Sequence, residues 1–350
     1  MIKPAWKPRP FITAALTACL FGPSGHVGLE GGLLDTHPIA PAAASPPPPP
    51  RKPVLTPDEL RRFRPNEAGD VPILEYHEIG GSEGYMSRSR ENFQDDLDRL
   101  YAEGYRPISL ADYLSNRIDL PAGLSPVVLT FDDARGSQFR YHRDGSIDPD
   151  CAVGILLAFH ETHPDFALKA TFFLLPQCPF DDSRTGAKKV RALAKMGFEI
   201  GNHTLHHRWL NRLSDAGVVK EIAGGAALLH KMVPQATVDT LAFPGGFRPR
   251  NSRLIAAGQY RGFHYLNRGG FLAFGEPAVS PVAKNQDRLH IRRIVATEGD
   301  CGLDYWLRRL RSGKTPRYVS DGDPLTITVP RKYAARVDSA FLNGAVLVVY

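Results

Sequence analysis

From residue 71 onward the chain alternates short apolar runs with longer helical segments, and this alternation constrains the fold more than any other feature. Apolar runs at 71–76, 126–131, 170–175, 198–201, 240–243 and 291–296 suit buried strands. The first helix is capped by Ser89, carries Glu91, Asp95 and Asp96 toward its positive end, and stops at Gly104. Its Phe93, Leu97, Leu100 and Tyr101 share one face. Further helices are expected at 151–162, 186–196, 214–232, 250–258 and 302–312. Repeated βα units imply an α/β fold with a mostly parallel sheet or barrel, whose site lies at the carboxyl ends of the strands.

Before residue 71 the composition changes. Lys3, Lys7 and Arg9 precede a short apolar run, the layout of an export signal over 1–21. Leu16-Thr17-Ala18-Cys19 resembles a lipobox, which would leave a lipid on Cys19 as the chain's one link to a membrane. Residues 22–70, with five consecutive prolines, read as a disordered, extended tether, leaving 71–350 as the catalytic domain. The expected location is the cell envelope, lipid-anchored, periplasmic or extracellular. Cys151, Cys178 and Cys301 are too far apart for a Cys-x-x-Cys zinc site and read as small buried residues with at most one disulfide. The net charge of +6 reads as a solvated basic surface. No basic run is interleaved with stacking aromatics, so no nucleic-acid partner is expected. Nothing in the sequence fixes an oligomeric state.

The strand ends carry the chemistry. Asp132 and Asp133 close the run "LTFDD", and two carboxylates at the end of a buried strand are costly without a cation. A second run ends in "EIGNHTLHHRWL". There His203 and His207, four apart, would point the same way from one helical turn, and His203 could also pair with His206. Two imidazoles and one carboxylate form a hydrolytic metal set, with zinc the default and nickel or cobalt compatible. The spare aspartate is then free to act as a general base. Asp144, Asp148 and Asp150 lack the spacing of a calcium loop, and Asp150 reads as the cap of the helix from Cys151.

Together "LTFDD", "KATFFLL" and "GFEIGNHTLHH" resemble the polysaccharide deacetylases, the NodB-homology enzymes of carbohydrate esterase family 4. "VPILEYHEIG" resembles the opening strand of envelope-associated members. The resemblance implies a distorted (β/α)7 barrel, with Asp132 as general base and Asp133, His203 and His207 as metal ligands. In "LAFPGGFRP" it implies an oxyanion-holding N–H at Gly245, where an aromatic residue is usual. Ala242 stands where many members carry an arginine that orients the base, and the family's Asp-x-x-Asp-Trp is missing. His290 and His77 are the candidates for general acid. The implied activity removes N-acetyl groups from an N-acetylglucosamine-containing envelope or extracellular polysaccharide. The rivals are an O-acetyl glycan esterase on the same site and a non-catalytic glycan binder with a decayed fold.

Overall fold

The computed structural model describes residues 55–350, and there the alternation becomes seven parallel strands. They are β1 (Ile73–Tyr76), β2 (Ser125–Phe131), β3 (Thr171–Leu174), β4 (Glu199–Asn202), β5 (Thr240–Ala242), β6 (Gly269–Phe271) and β7 (Ile294–Val295). Their order across the sheet is β6-β5-β4-β3-β2-β1-β7, with Tyr105–Pro107 pairing beside β2. Ile291, just before β7, bridges Phe271 of β6, while Ile294 and Val295 pair with Leu74 and Glu75 of β1. The segment from Ile291 to Val295 therefore touches both edges and curls the sheet into a barrel. The export signal at 1–21, Cys19 and the tether up to residue 54 lie outside the described residues.

Both faces of these strands are buried, which is why they read as continuous apolar runs. Leu74, Tyr76, Leu129, Phe131 and Phe172 pack outward against helices. Ile73, Val128, Phe173, Ala242 and Phe271 pack together on the inner face. The outer helices include α1 (Arg90–Ala102), α2 (Ala152–Thr162), α3 (Gly186–Lys195), α4 (Asp215–Met232) and α5 (Leu303–Arg311). Ser89 caps α1 through the Asn92 N–H, as expected. The cap of α2 is Cys151 rather than Asp150: its Sγ accepts from the Gly154 N–H, while Asp150 pairs with Arg90. Cys151 is buried, Cys178 and Cys301 are exposed, and all three are free thiols.

Two expectations need correction. The helix expected over 250–258 shrinks to Arg253–Ala256, and a hairpin follows, Ala257–Tyr260 paired with Phe263–Leu266. Arg261 and Gly262 both take left-handed backbone (φ 49° and 79°), the two-residue turn that joins twisted antiparallel strands. The tether expected over 22–70 also ends earlier than proposed. Thr56 caps a short helix at Pro57–Phe63, and Ala68 packs on Val282, Ile327 and Val329. The buried Glu67 carboxylate accepts from the Thr328 N–H (2.7 Å) and the Tyr318 hydroxyl (3.2 Å). Residues 55–70 thus belong to the folded unit, because Ala68 and the buried Glu67 join its core.

One close approach positions the loop after β4. A Cβ on Gly225 of α4 would lie 2.4 Å from Asn202 Oδ1 and 2.8 Å from the Thr204 carbonyl carbon. Alanine here gains about 1 kcal/mol in helix propensity. Overpacking against backbone costs about 1–3 kcal/mol and should prevail. Gly225→Ala is therefore expected to lower the Tm and loosen the 202–207 loop, as thermal unfolding and hydrogen exchange would report. An unchanged Tm would mean the loop yields freely.

Candidate active site

Strand parity sets the site. Ile73 and Val128 face inward, so Glu75, His77, Thr130 and Asp132 follow on the same side toward the carboxyl rim. A continued pleat would send Asp133 the opposite way. Left-handed backbone at Asp133 (φ 72°) and Ala134 (φ 54°) ends the pleat there, so adjacent aspartates both address the site. Side chains rarely adopt such φ values, and here they concentrate at the rim. The Phe180 N–H donates to the Ala134 carbonyl (2.6 Å), and the Gly136 N–H donates to Asp181 (2.8 Å), pinning this turn.

Across the barrel, His203 follows β4 directly. Its Nδ1 lies 3.0 Å from the Ala242 carbonyl, which accepts the ring N–H and leaves the Nε2 lone pair free. That Nε2 is 3.3 Å from Asp133 Oδ1, and His207 Nε2 is 3.2 Å from the same oxygen. His207 does not reach this position on a helical turn. Residues 203–209 are loop, with left-handed Thr204 (φ 69°) and His207 (φ 55°). Side chains replace helical hydrogen bonds: Asn202 Oδ1 accepts the Thr204 N–H, and Glu221 accepts the His206 N–H. Glu221 also binds His206 Nδ1 at 2.8 Å, turning that imidazole elsewhere.

The donor set fits a divalent metal. Asp133 Oδ1 is buried without a hydrogen-bond partner, although two imidazole nitrogens approach it. Ligands about 2.1 Å from a tetrahedral zinc stand about 3.4 Å apart, close to the observed separations. The Asp133 carboxyl is held far below its usual range: burial raises it, but both imidazoles outweigh burial.

Asp132 sits deeper, gripped by Arg293. Nη1 donates to Oδ1 and Nη2 to Oδ2, each at 2.7 Å. The fully buried guanidinium also donates to the Thr130 hydroxyl and the Leu272 carbonyl. Burial pushes the Asp132 carboxyl up, but Arg293 and then His203 pull it below its ordinary value. Arg293 thus places beside Asp132 the guanidinium that Ala242 does not supply. Glu75 stands on its other side, 3.5 Å from Nη2 and 3.7 Å from His77 Nε2. Glu75, His77 and Asp132 bring ligand atoms within 4.8 Å of one another. Burial raises Glu75 to about 7 against the pull of Arg293, and burial lowers His77 to about 4. Neither Arg293 nor Glu75 was singled out from sequence. The available signal was a charge at an inward position of each apolar run: Glu75 alone in "VPILEY", and Arg293 beside Arg292 in "IRRIVA".

His290 is not brought to this cluster. It precedes β7, and its Nδ1 pairs with Asp287 at 2.7 Å on the strand's entry side. Gly245 lies in the turn Pro244–Gly246 with left-handed backbone (φ 60°). The turn's bonds run from the Gly246 N–H to Phe243 and from the Phe247 N–H to Pro244, leaving the Gly245 N–H out of both. Trp209 and Phe247 crowd the space where a Cβ on Gly245 would lie, at 3.1 and 3.2 Å, so aromatic rings from other positions stand beside this turn.

Residues 121–264 match the family model described as polysaccharide deacetylase. YxkH of Bacillus subtilis, named for that family, is 22% identical over 188 residues, 53% of this chain and 60% of the relative. The chain thus matches less than two thirds of that relative's length. Streptococcus pyogenes deacetylase PplD, solved in complex with acetate, is similar in fold at 20% identity and TM-score 0.51, over 68% of this chain and 97% of the other. A polysaccharide deacetylase from Bacillus cereus is similar at 15% identity and TM-score 0.51, over 68% of each chain.

The raised Glu75 gives a test of stability. A carboxyl with its folded pKa near 7, above an ordinary 4.5, contributes stability fully below 4.5 and loses it as pH rises toward 7. The Tm of Glu75→Gln relative to wild type should therefore increase between pH 5 and pH 8. A pH-independent difference would show that Glu75 ionises normally.

Proposed function

We propose that this chain, whose residues 121–264 form a polysaccharide deacetylase domain, is a metal-dependent hydrolase of N-acetyl groups on an N-acetylglucosamine-containing polysaccharide. The observation that carries the reading is the orphaned Asp133 Oδ1, facing His203 and His207, one residue from an aspartate locked by arginine. Asp133, His203 and His207 would hold the metal. When bound there, a divalent ion, zinc by this donor set, polarises a carbonyl and lowers the pKa of water.

The chain's own groups do the rest. Asp132 takes the proton of the attacking water. Arg293 keeps that carboxylate ionised and fixed in orientation, so base tuning does not need an arginine at position 242. The Gly245 N–H donates to the acetyl oxygen as negative charge gathers on it. His77 protonates the leaving amine. Burial holds His77 neutral at rest, so the proton it delivers must first be acquired, and Asp132 lies within 4.8 Å to supply it. Collapse then releases acetate and a free amine on the sugar. Arg293 also answers the main argument for a decayed, non-catalytic fold. The expected export signal would put the activity at the cell envelope.

Acetate release from N-acetylglucosamine oligomers, with O-acetylated xylan as the comparison, tests the substrate. Asp132→Asn should lose at least about a hundredfold in kcat, the scale of general-base catalysis, while retaining metal measured by elemental analysis. Unchanged turnover would remove Asp132 from this role, and acetate from xylan alone would make the chain an esterase. Arg293→Met should raise the Asp132 pKa, shifting the acid limb of kcat/KM to higher pH. An unshifted limb would mean that Arg293 does not tune the base.

A further inference from the structure

Most large aromatic side chains here are buried or half-buried. The four exposed ones among the described residues are Tyr85, Trp209, Phe247 and Phe274. They form two pairs: Trp209 with Phe247 (centroids 4.5 Å apart) and Tyr85 stacked on Phe274 (5.2 Å, interplanar 20°). Each pair is tied to the site. Trp209 follows His207 by two residues, Phe247 follows the Pro244–Gly246 turn, and both flank Gly245. On the other pair, the Phe274 N–H donates to Glu75 (3.4 Å). Phe274 holds left-handed backbone (φ 57°), a costly conformation for a bulky residue that leaves its ring in solvent.

We propose that these pairs are the two walls of a glycan-binding groove, gripping pyranose rings on either side of the reacting acetyl group. The proposal rests on the deacetylase reading. A pyranose presents a flat face of C–H groups rimmed by hydroxyls. Aromatic rings cover such a face while the hydroxyls stay wet, and exposed apolar patches beside a polar site mark binding surfaces. The rims here are polar: the Trp209 indole N–H, the Tyr85 hydroxyl, and the Arg212 guanidinium 4.2 Å over the Trp209 ring. The groove lies outside the metal and acid–base residues and concerns which polymer is held and how long it must be.

The test uses the full chain carrying Asp132→Asn, loaded with zinc, and calorimetric titration with N-acetylglucosamine hexamer. Adding Trp209→Ala or Phe274→Ala should each weaken hexamer binding about tenfold. Trp209→Phe and Phe274→Tyr, which keep a ring, should recover most of it. Zinc content and circular dichroism identify any variant that fails to fold, and the ring-preserving variants then carry the comparison with Tyr85→Ala. Unchanged hexamer affinity in the alanine variants, with wild type releasing acetate, would overturn the groove and leave the deacetylase reading standing. No hexamer binding and no acetate from wild type would overturn both. Binding to phosphatidylcholine–phosphatidylglycerol vesicles that depends on these rings, with hexamer affinity unaffected, would make the patch a membrane contact and overturn the groove.

Discussion

The pairing of Arg293 with Asp132 and Glu75 is the interaction on which the rest depends. A guanidinium with no solvent contact costs several kcal/mol to bury and persists only when its donors and charge are matched. Here two carboxylates and two further acceptors match them. Arg293 also sits in the segment that closes the barrel, between Ile291 on β6 and Ile294 on β1. Ring closure and charge balance are therefore one event. Without closure, Asp132 and Glu75 would face each other inside an apolar barrel with no counter-charge.

Much of this was legible in the sequence because parallel barrels impose a simple grammar. Strands buried on both faces must read as apolar runs, so the six runs from 71 to 296 mark the sheet, and polar residues after them mark the rim. Asp132, Asp133 and His203 follow such runs directly, and all three stand at the carboxyl ends of β2 and β4. What brings His207 to Asp133 was not legible. Spacing suggested a helical turn, but the loop is held by Asn202 and Glu221, and Glu221 lies fourteen residues beyond His207 on α4. Long-range side-chain bonds of this kind leave no local period to read.

Beside the two departures at Ala242 and Gly245 stand groups drawn from elsewhere in the chain. The arginine beside Asp132 comes from the closing segment, about fifty residues after the turn. The wall beside Gly245 comes from Trp209 and Phe247. A three-dimensional site needs a group at a place, and the barrel lets several strands supply it. A motif read along one segment therefore underestimates what a barrel keeps. Glu75 and Arg293 were missed because a charge within an apolar run looks like noise until its inward parity and its partner are known together.

Glu67 has a consequence for how the chain acquires this structure. Its carboxylate is satisfied by the N–H of Thr328, 261 residues later, and its backbone oxygen by Ser280. A chain made from its N-terminus leaves this acid unsatisfied until Thr328 has been made. Contacts of such sequence separation form late and slowly. The segment from 55 to 70 is thus a latch thrown last. Until it is, the domain carries an unsealed edge, open to proteases and to wrong partners.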